Sequence, residues 1–594
     1  MSAAVAVASL IWFGWFGLNL THTTTATTDE PGHLGAGLSY WKNHDYKLTT
    51  ANLYFTQKWA TWPLIDSKVP FPDAKEQAKL RNHPNYVGDA FLASSGADPR
   101  ILLAPARQMT LILWLLTGVL VWAWSTRLGG PWAGALSTVL YATCPVILST
   151  AYLVTTDTGA AFWYFALLGS YVWMLHRPHA GSALVTGICA GMMALSKFSV
   201  AAWLLGALLF LGWYLWKQRG RYSILTLAGW HVAAIVMAWA TVWTFFGWIY
   251  QPGGIPYFST FEPKNGFERL IQFFRTWHLF PEPFLREMYL AQDITRERNG
   301  YLFGQYQMGG SGLYFPVAFV VKSTIASLLA LGTWLLIRPA EKNAEAKLPP
   351  SLAPIVCSGL GYALLAIFTP INIGARHILP LFILAAVAGG VALARFGQAG
   401  RIRAGIVATI ALLALGEGIS ARHQPMAWFN AAAGGPMNGY RIMVESSLEW
   451  GGDLDQVVAW QKKLPAQDRD VPVYIHYLGP PGLTCYGLKA LDMAEAFWTA
   501  KVRPGYFIYS ATRLMGGPDI MYGKMTEEHI NTWNKAAPYW NGPLRSPWNE
   551  LAVGRLAEYC RSRAPTERIG PVYFVFRLDE QDLQAAMAPT RAPR

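Results

Sequence analysis

Residues 23–59 read TTTATTDEPGHLGAGLSYWKNHDYKLTTANLYFTQKW and place two adjacent carboxylates, Asp29 and Glu30, just beyond an apolar stretch ending at Leu20. A carboxylate held partly out of water at a bilayer surface can serve as a general base. The same residues, Thr28-Asp29-Glu30-Pro31, are also a helix start signal with proline at or near the first helical position. The two readings are compatible, because a cap fixes the backbone and leaves the other carboxylate for chemistry. Asp157, in TTDTGA, has the same double reading: a cap for the helix it begins, or a group that orients a polar substrate or a cation.

Cations accompany these acids. In YFPVAFVVKSTIASLLA, Lys322 lies one to two turns inside an apolar run, where an unpaired charge costs several kcal/mol. It either snorkels to the interface or binds a lipid phosphate. Arg376 and His377, in INIGARH, offer a bidentate fork and a titratable donor for the same phosphate, or a plain interfacial anchor. Lys58 and Lys197 are further cations of lower specificity. The segment 281–316 mixes charges, glycines and aromatics up to Tyr314; such rings suit a sugar face, and they also form ordinary interfacial belts. No P-loop, HExxH, GxSxG or paired metal-ligand histidine pattern occurs, so nucleotide chemistry is not indicated. Paired carboxylates would also suit a divalent cation, and no other cofactor is called for.

The elements that must position these groups are membrane helices. The chain has 594 residues, is 53% hydrophobic and only 14% charged, against about 25% in a typical soluble domain. Apolar runs of spanning length recur at roughly 4–20, 108–126, 131–150, 159–176, 182–196, 199–216, 224–249, 315–337, 352–370, 377–394 and 403–420. About eleven spans make this a mainly α, polytopic transmembrane bundle. The first run lacks a basic n-region and reads as a retained helix. With the N-terminus inside, the inner loops carry Arg127, Arg177, Lys217, Arg219, Arg221, Arg338, Lys342, Lys347, Arg395, Arg401 and Arg403. The short outer loops carry only Lys197 and Arg376, as the positive-inside rule requires. The net charge of +13 is thereby explained without a nucleic-acid partner. Segments 21–107 and 250–314, Asp157, Arg376 and everything after 420 then share the outer face.

Two domains follow: a transmembrane unit over 1–420 and an extracytoplasmic α/β domain over 421–594. The second is signalled by the strand-like runs VPVYIHYL (471–478), GYFIYSA (505–511) and PVYFVFRL (571–578), separated by helical stretches. Its tail, AMAPTRAPR, reads as disordered. Cys485 and Cys560 fall in this part, where a disulfide is chemically allowed but not implied by spacing.

Five stretches, in order along nearly the whole chain, resemble the protein O-mannosyltransferase and aminoarabinose-transferase class of GT-C glycosyltransferases. They are TTDEPGHLGAGLSYWKNHDYKL, PVILSTAYLVTTDTGAAFW, YFPVAFVVKST, GARHILPLF and WFNAAAGGPMNGYRIMVESSLEWGGDL. The resemblance implies a bacterial inner-membrane enzyme that takes a sugar from a polyprenyl-phosphate donor. It implies Asp29 as base with Glu30 beside it, and an acceptor hydroxyl on a protein, lipid or glycan at the periplasmic face. The family's Pro-Pro-Leu after the first-loop helix is replaced by ANLYFTQKW, and SNLDWGQDL becomes SSLEWGGDL, with Glu449 for Asp and Gly452 for Gln.

The residues fit that chemistry independently. A polyprenyl phosphate leaves readily if a cation meets its charge, whereas an acceptor hydroxyl needs a base. Inversion by single displacement is expected. The alternatives are a transporter or flippase for a polyprenyl-linked substrate, which would favour inverted repeats and midplane charges, and a scaffold on an inactive transferase fold.

Overall fold

The computed structural model describes residues 1–48, 52–96, 98–198, 200–217, 221–252, 261–294, 300–307, 309–337, 352–516 and 527–589. Arg219, the loop holding Arg338, Lys342 and Lys347, and residues 590–594 of the tail lie outside them. The molecule is mainly helical, with a small C-terminal sheet.

Every apolar window of the sequence falls on an apolar helix, because in hydrocarbon the backbone can satisfy itself only within a helix. Among the described residues, six helices are long and apolar enough to cross a membrane: Ser2–Thr23, Arg100–Gly129, Thr156–His176, Ile224–Phe245, Ala375–Gly397 and Arg401–Ala421. Pro131–Ala142 with Pro145–Ala151, and Tyr314–Lys322 with Ile325–Leu336, add two bent pairs. Ala180–Ala194, Val200–Lys217 and Ala353–Phe368 are apolar but shorter. The count by length and composition is therefore six to eight, fewer than the eleven expected. Ala375–Gly397 is the buried centre, whereas Ile224–Phe245 turns Leu225, Val232, Ile235 and Val236 outward, as a lipid-facing helix should.

Close helix contacts run through small residues. Helices 200–217 and 353–368 meet at Gly206 and Gly361, where a Cβ on Gly361 would fall on the Gly206 amide. Gly390 approaches the Ser137 backbone in the same way.

The expected straight span over 315–337 is instead broken by 103°. Ser323 is extended, and Thr324 caps the second half by accepting from the Ser327 amide at 3.1 Å. The Glu417 carboxylate accepts from the Ile325 and Ala326 amides at 2.8 and 3.0 Å. Asn430 donates to the Val320 and Ser323 carbonyls at 2.7 and 3.0 Å. With its polar groups so satisfied, a break inside an apolar region is stable.

After 421 the chain runs through short 3-10 turns, Ala431–Ala433, Pro436–Arg441 and Glu445–Ser447, along one end of the bundle before reaching the sheet. A separate two-stranded ladder joins β1 (Gly300–Leu302) to β2 (Gln305–Gln307). The C-terminal sheet holds β3 (Val473–His476), β4 (Leu491–Asp492), β5 (Gly505–Ser510), β6 (Glu567–Ile569) and β7 (Tyr573–Leu578), in the order β4-β3-β5-β7-β6. β3 and β5 are parallel, with Ile475 opposite Ile508; β5 and β7 are antiparallel, with Ile508 opposite Val575. All of β5 is buried, as expected for a central strand covered on both faces. All five cysteines are free, including Cys485 and Cys560.

The Gly206–Gly361 crossing yields a prediction. Gly361→Leu should overpack it and cost about 1–3 kcal/mol, seen as a lowered melting temperature in detergent. Gly212→Ala on helix 200–217, where an added Cβ meets nothing within 4 Å, should not lower the melt.

Candidate functional site

The adjacent acids part company. Glu30 is fully buried, and its carboxylate accepts from Arg107 Nε at 2.7 Å and Nη2 at 2.6 Å. The Thr27 and Val154 amides donate to it at 2.9 and 3.0 Å. Burial alone would push this carboxyl up; the Arg107 charge and these hydrogen bonds outweigh it and hold it below the ordinary carboxylate range. Arg107 is itself fully buried and also donates to the Thr24 and Thr25 carbonyls at 3.0 and 2.7 Å. Asp29 occupies the N-cap of Glu30–Lys42 but makes no capping bond. Its side chain is 38% exposed and lines a cavity of about 940 Å³.

The loop carrying Asp29 is fastened to the segment after 421. Thr25 N donates to Gly452 O at 3.0 Å, Thr28 N donates to Trp450 O at 3.0 Å, and Thr25 Oγ1 donates to Gly451 O at 2.9 Å. The glycines of SSLEWGGDL thus let one backbone lie directly against another: a Cβ on Gly451, at φ 97°, would meet the Gly479 backbone.

Across the cavity, Asp157 Oδ1 accepts from Lys197 Nζ at 2.5 Å, while Oδ2 accepts from Thr155 Oγ1 at 2.9 Å. Thr155, one residue outside Thr156–His176, is the residue that caps this helix. Arg376 Nη1 reaches Asp157 Oδ2 at 3.4 Å and Asp29 Oδ2 at 3.7 Å, so one guanidinium links both acids. Its Nε donates to Ser446 Oγ at 2.9 Å, and its Cζ lies 3.6 Å from the Trp450 ring centroid. His377 Nδ1 is 3.3 Å from Lys197 Nζ. His33, one turn after Asp29, is buried with Nδ1 3.1 Å from Gln57 Nε2, and burial holds its imidazole below the usual histidine range. Phe315, Ala202, Leu365 and Phe368 give the cavity an apolar wall, and Phe368 is 79% exposed at its edge.

Of the residues singled out by sequence, Asp29, Asp157, Lys197, Arg376 and His377 converge here. Glu30, Lys58, Tyr314 and Lys322 do not line the cavity. Lys322 is buried and donates to the Met426, Trp428 and Ser447 carbonyls at 2.7, 2.5 and 2.8 Å. Tyr314 is buried with its hydroxyl 3.3 Å from Ser447 Oγ. Lys58 lies over the Trp41 and Phe245 rings at 4.7 and 4.9 Å. Sequence reasoning gave Lys197 little weight and passed over His33, Glu445 and Trp450. The one signal it had was the helical spacing of Asp29 and His33. Because Glu30 is forked by Arg107, the acid pair does not offer both carboxylates to one cation. Among the described residues, no group of three His, Cys, Asp or Glu side chains converges on a point that could hold a metal ion.

No family model and no curated protein matches the sequence. Among solved structures, the fold is similar over nearly its full length to apo ArnT from Cupriavidus metallidurans: 12% identity, 99% of each chain covered, TM-score 0.46. ArnT from that organism bound to undecaprenyl phosphate is similar at 13% identity over 87% of this chain and 94% of that one, with TM-score 0.42. The apo oligosaccharyltransferase of Archaeoglobus fulgidus is similar at 12% identity over 86% of this chain and 70% of that one, with TM-score 0.45.

The split of the acid pair yields a stability test. Arg107→Ala strands the Glu30 charge in the interior and should cost about 3–5 kcal/mol. Asp29→Asn removes a half-exposed carboxylate and should leave the melting temperature within about a degree of wild type. Thermal unfolding of both variants in detergent checks this.

A second test uses pH. Burial pushes the Glu449 carboxyl up to about 7. An acid raised above its unfolded value binds its proton more tightly when folded, so its stabilising proton is lost as pH rises from about 4.5 to about 7. Glu449→Gln should therefore raise the melting temperature at pH 7.5, by an amount worth about 1–3 kcal/mol, and leave it unchanged near pH 4.5.

Proposed function

We propose that the chain is a membrane glycosyltransferase that moves a sugar from a polyprenyl-phosphate donor to a hydroxyl of a protein, lipid or glycan. One observation carries the reading: a single cavity joins a half-exposed carboxylate that caps nothing, Asp29, to a cation cluster and to an apolar wall between helices 200–217 and 353–368. Amphiphilic lining of this kind suits an amphiphilic substrate, headgroup against Arg376 and isoprenoid against Phe315, Leu365 and Phe368. The ordered sequence resemblance to GT-C transferases agrees. In this reading the site, the cavity and the C-terminal sheet lie on the periplasmic side with the N-terminus in the cytoplasm, and the loop charges of the sequence support that orientation.

In this reading Asp29 takes the proton of the acceptor hydroxyl as its oxygen bonds to the anomeric carbon from one face. The bond from that carbon to the phosphate oxygen breaks on the other face, and the electron pair leaves on the phosphate. Arg376 meets the charge that develops there, supported by Lys197 and His377. Asp157 positions these cations, with Arg376 and Lys197 both on its carboxylate. The result is inversion without a covalent intermediate. Glu30 and Lys322 act as struts that hold the loop of Asp29 and the broken helix, respectively, and neither touches substrate.

The test is release of free polyprenyl phosphate from polyprenyl-phosphate sugars by purified protein in liposomes, wild type beside Asp29→Asn. Turnover with one donor, reduced about 10²–10⁴-fold in the variant, is expected. Transbilayer movement of the lipid with no sugar release would instead identify a flippase. Turnover that survives Asp29→Asn would remove Asp29 from the role of base.

A further inference from the structure

Glu445 has no part in the scheme above, yet it lines the cavity. It opens the 3-10 turn Glu445–Ser447, on the wall contributed by the segment after 421. Its backbone sits at φ 58°, in the left-handed region that disfavours side chains such as glutamate. The turn is imposed by its neighbours: the Glu445 amide donates to Thr512 Oγ1 at 2.9 Å, and its carbonyl accepts from the Leu448 and Glu449 amides at 2.7 and 2.9 Å. A glycine would adopt this conformation freely. Of the carboxyl, Oε2 accepts from the Ser446 amide, and the side chain lines the cavity. A strained residue that presents a carboxyl to a cavity points to function rather than to folding.

Its surroundings say which function. Burial pushes the Glu445 carboxyl above the ordinary range, Arg376 pulls it down, and Asp29 pushes it up, so it lies within electrostatic reach of both. Its neighbour Ser446 holds Arg376 Nε at 2.9 Å. In a single displacement the acceptor oxygen lies at the base, the leaving phosphate lies at the cation, and the sugar ring spans the gap. A group coupled to both from a third wall faces the ring. We propose that Glu445 is a specificity residue whose carboxyl hydrogen-bonds hydroxyls of the sugar carried by the polyprenyl-phosphate donor. A carboxyl can accept two hydroxyl donors at once, the pattern that neighbouring sugar hydroxyls present. This inference rests on the donor reading proposed above.

The test is binding to the full chain in nanodiscs, without turnover. The probes are bare undecaprenyl phosphate and undecaprenyl phosphate bearing glucose, mannose or a pentose, against wild type, Glu445→Gln and Glu445→Gly. Wild type should prefer at least one sugar-bearing lipid to the bare one. Both variants should lose about tenfold of that preference while binding the bare lipid within about twofold of wild type. Glu445→Gly should melt at or above the wild-type temperature, because it relieves the left-handed backbone. Two results would overturn the inference while leaving the donor reading intact: equal wild-type binding of all four lipids, or variants that keep the preference. Loss of bare-lipid binding in both variants would instead make Glu445 a support for Arg376. Wild-type protein that binds none of the lipids would overturn the donor reading and this inference together.

Discussion

The Glu30–Arg107 pair is the constraint on which the rest of the site depends. Removing two charges from water costs several kcal/mol per ion even after relaxation. That cost is offset only because the geometry is complete: two guanidinium hydrogen bonds to the carboxylate, two amides on the same carboxylate, and two further carbonyls on the guanidinium. The partners come from the first loop, from helix 100–129 and from the turn before helix 156–176, which are distant in sequence. Satisfying one buried carboxylate therefore fixes three elements at once. Asp29, one residue before Glu30, inherits its position from this arrangement and is left to face the cavity.

A second pattern is the pairing of every strong cation at the site with an acid. Arg376 and Lys197 share Asp157, and Arg376 also reaches toward Asp29. An arriving phosphate would have to compete with Asp157 for the same guanidinium. Preorganised cations of this kind lose little freedom on binding, but their charge is already partly spent. In the proposed reading, recognition would draw on the apolar wall and on the groups facing the rest of the substrate as well as on charge.

Some of this was legible in the sequence and some was not, for physical reasons. Apolar windows located the long apolar helices, because the demand that a backbone in hydrocarbon satisfy itself leaves a strong compositional trace. They did not disclose the break at Ser323: a serine and a threonine are ordinary helix-end residues, and the capping groups Glu417 and Asn430 lie about a hundred residues further on. Asp29 and Glu30 were legible as an important pair but not as a division of labour. Which acid is buried depends on Arg107, and nothing local marks that arginine as a partner. The cost of an unpaired Lys322 in an apolar run is legible, but its partners are backbone carbonyls, which have no sequence signature. Glu445 was invisible because a left-handed φ at a glutamate contradicts its propensity.

Lys322 also bears on where the membrane unit ends. Its ammonium joins the end of helix 314–322 to carbonyls at 426, 428 and 447, while Thr25 and Thr28 join the first loop to 450–452. The Arg376 guanidinium is covered by Trp450 and held by Ser446. Residues 422–454 thus supply one wall of the cavity and the supports of two others, although their composition groups them with the sheet that follows. The change in polarity near 421 marks where the chain leaves the apolar region; the contacts that build the site extend some thirty residues beyond it. A fragment ending at the last apolar helix would keep Asp29, Asp157 and Arg376 but lose the groups that hold the Asp29 loop and Arg376 in register. The 3-10 turns and glycines of 431–452 are better understood as part of the site than as a linker.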